Sequence, residues 1–205
     1  IMADQLITGT TLVEKESRSI GDIPISGVVE WDDSIPGTPS LPAGFLLCNG
    51  DTIVDSLSPI NGQTLPNLNT QYLSISGIGF SADEPDVDDV AYNGTTGSLI
   101  LHGSAITPMG QVQLPHGATV TAVIVYANVS TEGFLLRSSL LVNNTTLIEH
   151  ADGTLNSETT TITTPIIDNT TRQYHIMADQ LDAGDIIYGA KITYTPRNKF
   201  VMRVR

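Results

Sequence analysis

The chain has 205 residues, enough for one large domain or two small ones. Its 22 acids against 9 Lys and Arg give a net charge of −13, which argues against holding nucleic acid or an anionic membrane, since both need a positive field. No apolar run is long enough to insert in a membrane, and the lone Cys48 excludes an internal disulfide framework and a cysteine-built zinc cage.

Thr occurs 25 times and Lys only 3 times, and no stretch keeps a helical apolar period for three turns. Thr is β-branched and favours strands, so the expected class is all-β. Residues 1–22 are polar and irregular, follow no visible secretory leader, and read as a docking segment. Ile23–Trp31 opens with a proline and alternates, as a strand does. A turn-dense loop follows through Pro36, Gly37, Pro39 and Pro42. Phe45–Cys48 is a short apolar strand ended by the Asn49–Gly50 turn, with Asp51–Val54 as its expected return.

Three blocks carry a resemblance: Gly27-Val-Val-Glu-Trp31, then Leu41-Pro42-Ala43-Gly44-Phe45-Leu46-Leu47-Cys48-Asn49-Gly50, then Leu65-Pro66-Asn67-Leu68. Their order and spacing resemble the collar domain of phage tail fibres over residues 23–73. The resemblance implies a small β-rich module in a homotrimeric virion fibre. It implies structural roles for Trp31, Pro42, Gly44, Phe45, Cys48, Asn49, Gly50, Leu65, Pro66, Asn67 and Leu68. Phe45 stands where tryptophan is usual, the spacer before Leu65 is short, and Thr70–Leu73 replaces an arginine-rich stretch. The family's metal-chelating histidine pairs are missing, so no metal and no cofactor is expected. Cys48 between Leu47 and Asn49 reads as a buried small hydrophobe. Trp31 reads as core or as a sugar-stacking platform.

Charge shifts near residue 96: residues 1–96 carry −12, residues 97–196 carry −5, and the last nine residues hold four bases and no acid. The acidic run Ser81–Val90 reads as a linker over 81–96, with a cation site at Asp83–Asp89 as the alternative. Beyond it, eight strands are expected: Ser98–His102, Gln111–Leu114, Ala118–Asn128, Gly133–Val142, Thr145–Glu149, Glu158–Thr163, Arg172–Ala178 and Asp185–Thr195. That spacing suits a jelly-roll-like β-sandwich over 97–196. The basic tail 197–205 reads either as a docking strand for an acidic neighbour or as a frayed end. Ile-Met-Ala-Asp-Gln-Leu occurs at 1–6 and again at 176–181, with no function attached.

Chemistry motifs are sparse. His102, His116, His150 and His175 have no metal-ligand spacing, and neither a nucleophile elbow nor a phosphate loop is present. The resulting expectation is a non-enzymatic component of a virion fibre. It would comprise a docking segment (1–22), a collar-like module (23–80), a linker (81–96), a β-sandwich head (97–196) and a tail (197–205). The head would attach to a host surface glycan or protein receptor, alongside other virion proteins outside the cell. The rivals are a capsid spike or decoration protein and a secreted carbohydrate-binding module.

Overall fold

A computed structural model describes residues 23–32, 37, 40–82, 89–129, 133–140, 147–179 and 181–205, with the backbone alone for 133–140 and 147–153. The described residues form thirteen strands: β1 (Val28–Trp31), β2 (Phe45–Leu47), β3 (Gln71–Ser76), β4 (Phe80–Ser81), β5 (Val90–Asn93), β6 (Ser98–Leu101), β7 (Met109–Val112), β8 (Thr119–Ala127), β9 (Gly133–Leu140), β10 (Leu147–Thr154), β11 (Arg172–Ala178), β12 (Ile186–Thr195) and β13 (Lys199–Arg203). The fold is all-β, with curled antiparallel sheets. Two compact units divide the chain: residues 1–70 with 196–205, and residues 71–195, which are therefore inserted into the first.

The first unit is a three-stranded sheet in the order β1-β13-β2. The chain's last strand is its centre: Val28 pairs with Met202 on one side, and Leu46 pairs with Met202 on the other. A small core forms from Cys48, Ile53, Leu65, Met202 and Val204. This corrects the expected organisation, in which 197–205 was a separate tail and the module ran on to residue 80. Val201, Met202 and Val204 are buried and Val201 and Met202 are paired on both sides, so this segment is a core strand rather than a docking or frayed end.

Asp51–Val54 is not a strand. Thr52 makes a single bridge to Thr64, and a run of turns at 55–63 returns the chain between Ile53 and Gln63.

The second unit is a jelly-roll-like pair of sheets over one core. One sheet runs β10-β9-β11-β7-β4. The other is built on β12, with β8 along one edge and both β3 and β6 along the other; β5 pairs outside β6. Phe80, Val112, Tyr174 and Ile176 of the first sheet meet Leu99, Val123, Val125, Ile187 and Ile192 of the second. β11 matches the expected Arg172–Ala178, and β8 and β12 lie within a residue of their expected ends.

Glu158–Thr163 does not form a strand. Thr159 bridges Val123 once, and beyond it Thr164 has φ +48° and Pro165 brings no N–H to a ladder. The acidic linker is also shorter than expected. Phe80–Ser81 is β4, and Val90–Asn93 is β5, joined to β6 by a turn in which Gly97 N–H bonds Asn93 O at 2.8 Å. The rest of the linker, 83–88, lies outside the described residues with the cation-site question. So do the docking segment 1–22 and the first copy of the repeated hexapeptide; the second copy runs from the end of β11 to the buried Leu181.

Candidate functional site

The three sequence blocks lie in the first unit, where Cys48, Leu65 and Leu68 belong to its small core. Cys48 is fully buried, and burial pushes its thiol pKa up. Its N–H bonds Phe200 O at 2.9 Å, and its carbonyl accepts Leu68 N–H at 2.9 Å. Gly44 has φ +88° and its carbonyl accepts Val204 N–H at 2.7 Å; an added Cβ would lie 2.8 Å from Arg205 O. Phe45 and Leu65 are buried, Leu68 packs against the core, and Pro42 is partly buried.

Asn49 bridges Asn67, and Gly50 turns the chain with φ +87°. Pro66 and Asn67 are exposed. Trp31 is half-buried at the edge of the sheet opposite Lys199, outside the core cluster.

The sequence reading missed Asn69, which is buried in the same cluster. Its amide donates to Cys48 O at 3.1 Å and Phe200 O at 3.0 Å, and its Oδ1 accepts Phe200 N–H at 2.7 Å. Nothing in the local sequence marks it, because its partners are backbone groups far away in the chain.

A recess lies in the second unit, an open groove of about 870 Å³ along β7 and β11. It comes from the strand period and the register. On β7 and just beyond, Val112 and Leu114 point into the core, so Gln111 and Gln113 face out. On β11, Tyr174 and Ile176 point in, so Gln173 and His175 face out. His175 sits opposite Gln111, and Ser81 opposite Met109 extends the same face across β4. Asn169, Arg172 and Tyr194 complete the polar and aromatic lining. No carboxylate lines the groove among the described residues, although the chain carries 22 acids.

One end of the groove is tied together by side chains. Asn169 Nδ2 donates to Leu114 O at 2.8 Å, and Asn169 N–H donates to His116 Nδ1 at 3.1 Å. The buried Tyr174 hydroxyl accepts Asp168 N–H at 2.8 Å. His116 thus has a turn-bracing role in the Pro115–Gly117 turn.

Asp168 caps its own loop. Hydrogen bonds from the Thr170 hydroxyl, then the Thr171 hydroxyl, then Thr170 N–H lower its pKa from 3.8 to about 2. These bonds favour the charged form. Their contribution is complete above the unfolded value and is lost as pH falls through about 2. A ¹³C titration of the Asp168 carboxyl is therefore expected to find it still ionised at about pH 3, and Thr170→Ala should raise its midpoint towards the ordinary value. A midpoint that the substitution leaves in place would contradict this origin of the shift.

Sequence reasoning examined His116 and His175 singly and passed over Gln111, Gln113, Arg172 and Gln173. The polar-apolar alternation Gln-Val-Gln-Leu was a usable signal for an outward amide row. Its partner row on β11 lies 60 residues away and was not locatable.

No protein-family model matches the chain. No curated protein matches it in sequence. Among solved structures, the C-terminal CBM6 of LamC, a marine laminarinase from Zobellia galactanivorans, is 12% identical with a TM-score of 0.37, covering 60% of this chain and 99% of its own. The xylan-binding module CBM15 is 15% identical with a TM-score of 0.36, covering 60% and 96%. Infectious bursal disease virus, Gx strain, is 14% identical with a TM-score of 0.25, covering 76% and 42%. At these TM-scores the likeness assigns nothing to this chain.

Proposed function

We propose that the chain is a non-catalytic, receptor-binding component of a virion fibre. A tail-collar-like module carries an inserted β-sandwich head that holds a host glycan in the groove of β7 and β11. The observation that carries the binding role is the lining: Gln111, Gln113 and Gln173 are exposed primary amides along β7 and β11, in a groove that Tyr194 of the other sheet also lines. A primary amide donates and accepts at once, as a sugar hydroxyl does, so an amide row satisfies successive hydroxyls without a net charge. The virion assignment rests on the order and spacing of the three collar-like blocks over residues 23–73.

The test is a glycan array probed with the full chain and with the double variant Gln111→Ala/Gln173→Ala. Saturable binding by the parent, weakened about tenfold or more in the variant, is expected from two lost hydrogen bonds. Binding unchanged by the variant would remove the groove from the reading, and no glycan binding at all would end it. Light scattering of the same samples should give a trimer that resists salt. A monomer that still binds glycan would favour the secreted carbohydrate-binding module.

A further inference from the structure

We propose that Asn93 is a self-modifying site, at which the backbone nitrogen of Gly94 attacks the side-chain amide, ammonia leaves, and water opens the resulting ring to a carboxylate. The chain carries three Asn-Gly pairs, Asn49–Gly50, Asn61–Gly62 and Asn93–Gly94. In each, the glycine presents its nitrogen with no side chain beside it to hinder the approach. The pairs differ in what their surroundings do to the two reacting groups.

Asn93 ends β5, and residues 94–96 of the following turn are exposed. Gly94 N–H makes no hydrogen bond among the described residues, so no acceptor is given up before it attacks. A Cβ added at Gly94 would meet nothing within 4 Å, so the turn has room to close on the side chain. Asn93 Oδ1 accepts Thr95 N–H at 3.0 Å and Thr96 N–H at 3.3 Å. Those two donors polarise the carbonyl and hold the negative oxygen that forms on it when nitrogen adds.

The other two pairs are held back. Gly62 N–H is taken by Ile53 O at 2.9 Å, and Asn61 Oδ1 accepts Asp55 N–H at 3.0 Å. Asn49 is gripped by its neighbour: Nδ2 donates to Asp51 Oδ2 at 2.7 Å, and Oδ1 accepts Asp51 N–H at 3.2 Å. The Asp51 carboxylate also repels the negative charge that develops during attack.

The reaction consumes only water. Gly94 nitrogen gives its proton to solvent and bonds to Asn93 Cγ. The Cγ–Nδ2 bond breaks, and the nitrogen leaves as ammonia with a proton from solvent. Water then cleaves one of the two imide bonds, giving aspartate at the Cγ side or isoaspartate at the main-chain side. Aspartate suits the turn, since a carboxylate takes stronger bonds from the same two N–H groups. Isoaspartate reroutes the backbone through the side chain and disrupts the turn that Gly97 N–H closes on Asn93 O at 2.8 Å.

The experiment incubates the full chain at mildly alkaline pH in ¹⁸O-water and follows the three asparagines by peptide mass mapping. Asn93 should convert about fivefold faster than Asn61, the factor set by one hydrogen bond withheld from the nucleophile. It should also outrun Asn49, and heavy oxygen should enter at residue 93. Gly94→Ala should slow Asn93 severalfold by crowding the nucleophile. Asn49 and Asn61 should keep their parent rates in that variant, which also shows that it is folded. In urea above the unfolding midpoint the three sites should converge, because each precedes a glycine. Conversion of Asn49 or Asn61 ahead of Asn93 in the folded chain would overturn the assignment. A ranking that persists in urea would place its cause in local sequence and overturn it too, as would an Asn93 rate that Gly94→Ala leaves unchanged.

Discussion

Deletion of Lys199–Arg205 is expected to unfold the first unit while the β-sandwich of residues 71–195 keeps its structure. Among the described residues, β13 is the only ladder partner of β1 and of β2, so the deletion abolishes the sheet rather than trimming it. It also removes two of the five buried residues in the small core, Met202 and Val204, and the fully buried Val201. Burying such side chains is worth about 1.5–3 kcal/mol each.

Polar groups are stranded as well. Cys48 N–H loses Phe200 O, the Asn69 amide loses both of its Phe200 bonds, and buried Ser58 loses Val204 O. Each unsatisfied buried group costs about 1–3 kcal/mol, and together these losses match the roughly 5–15 kcal/mol that holds a whole domain.

Cys48 is a clean reporter because it is the chain's single cysteine and is fully buried. Its thiol should react slowly with a disulfide reagent in the full chain and rapidly in the truncated one. Amide exchange should show lost protection over 45–69 and retained protection over β8, β11 and β12. A Cys48 that stays protected after the deletion would refute the central placement of β13.

Gly77→Ala should destabilise the sandwich by about 3 kcal/mol or more, a large effect for the smallest possible addition. A Cβ at Gly77 would lie 2.2 Å from Ile187 O, 2.7 Å from Ser98 Cα and 2.8 Å from Leu99 N. All three are backbone atoms, so no rotamer change relieves the clash. The close approach has a topological cause. β3 and β6 share one edge of β12, and the 3-10 turn Gly77–Gly79 at the end of β3 passes against the start of the β6 pairing at Leu99 and Ile187.

Gly94→Ala is the control. An added Cβ there meets nothing within 4 Å, and Gly94 is not among the glycines with positive φ. Its unfolding free energy from urea titration should lie within about 0.5 kcal/mol of the parent's, or above it through reduced unfolded-state entropy. Similar losses from both substitutions would show that the cost comes from replacing glycine in general and not from the packing at residue 77.

Gly77 and Asn69 share a reason for escaping the sequence reading. What constrains each of them is backbone from a distant segment, and backbone leaves no mark in side-chain identity. The candidate groove was partly legible for a related reason. Gln111 and Gln113 announce an outward polar row by alternation. That His175 and Gln173 share their face follows from the register of β11 against β7, which sets His175 opposite Gln111.

By itself, the sequence determined the properties that depend on neighbours a few residues away. These are the β class from threonine and alternation, the ends of β8, β11 and β12, the Asn49–Gly50 and Pro115–Gly117 turns, and the burial of Cys48. Only the tertiary structure decided that the last strand completes the first sheet, that residues 71–195 are an insertion within that unit, and that two polar rows 60 residues apart make one groove. Strand ladders are built from main-chain groups that every residue carries, so the partner of a strand is selected by the packing of the whole sheet.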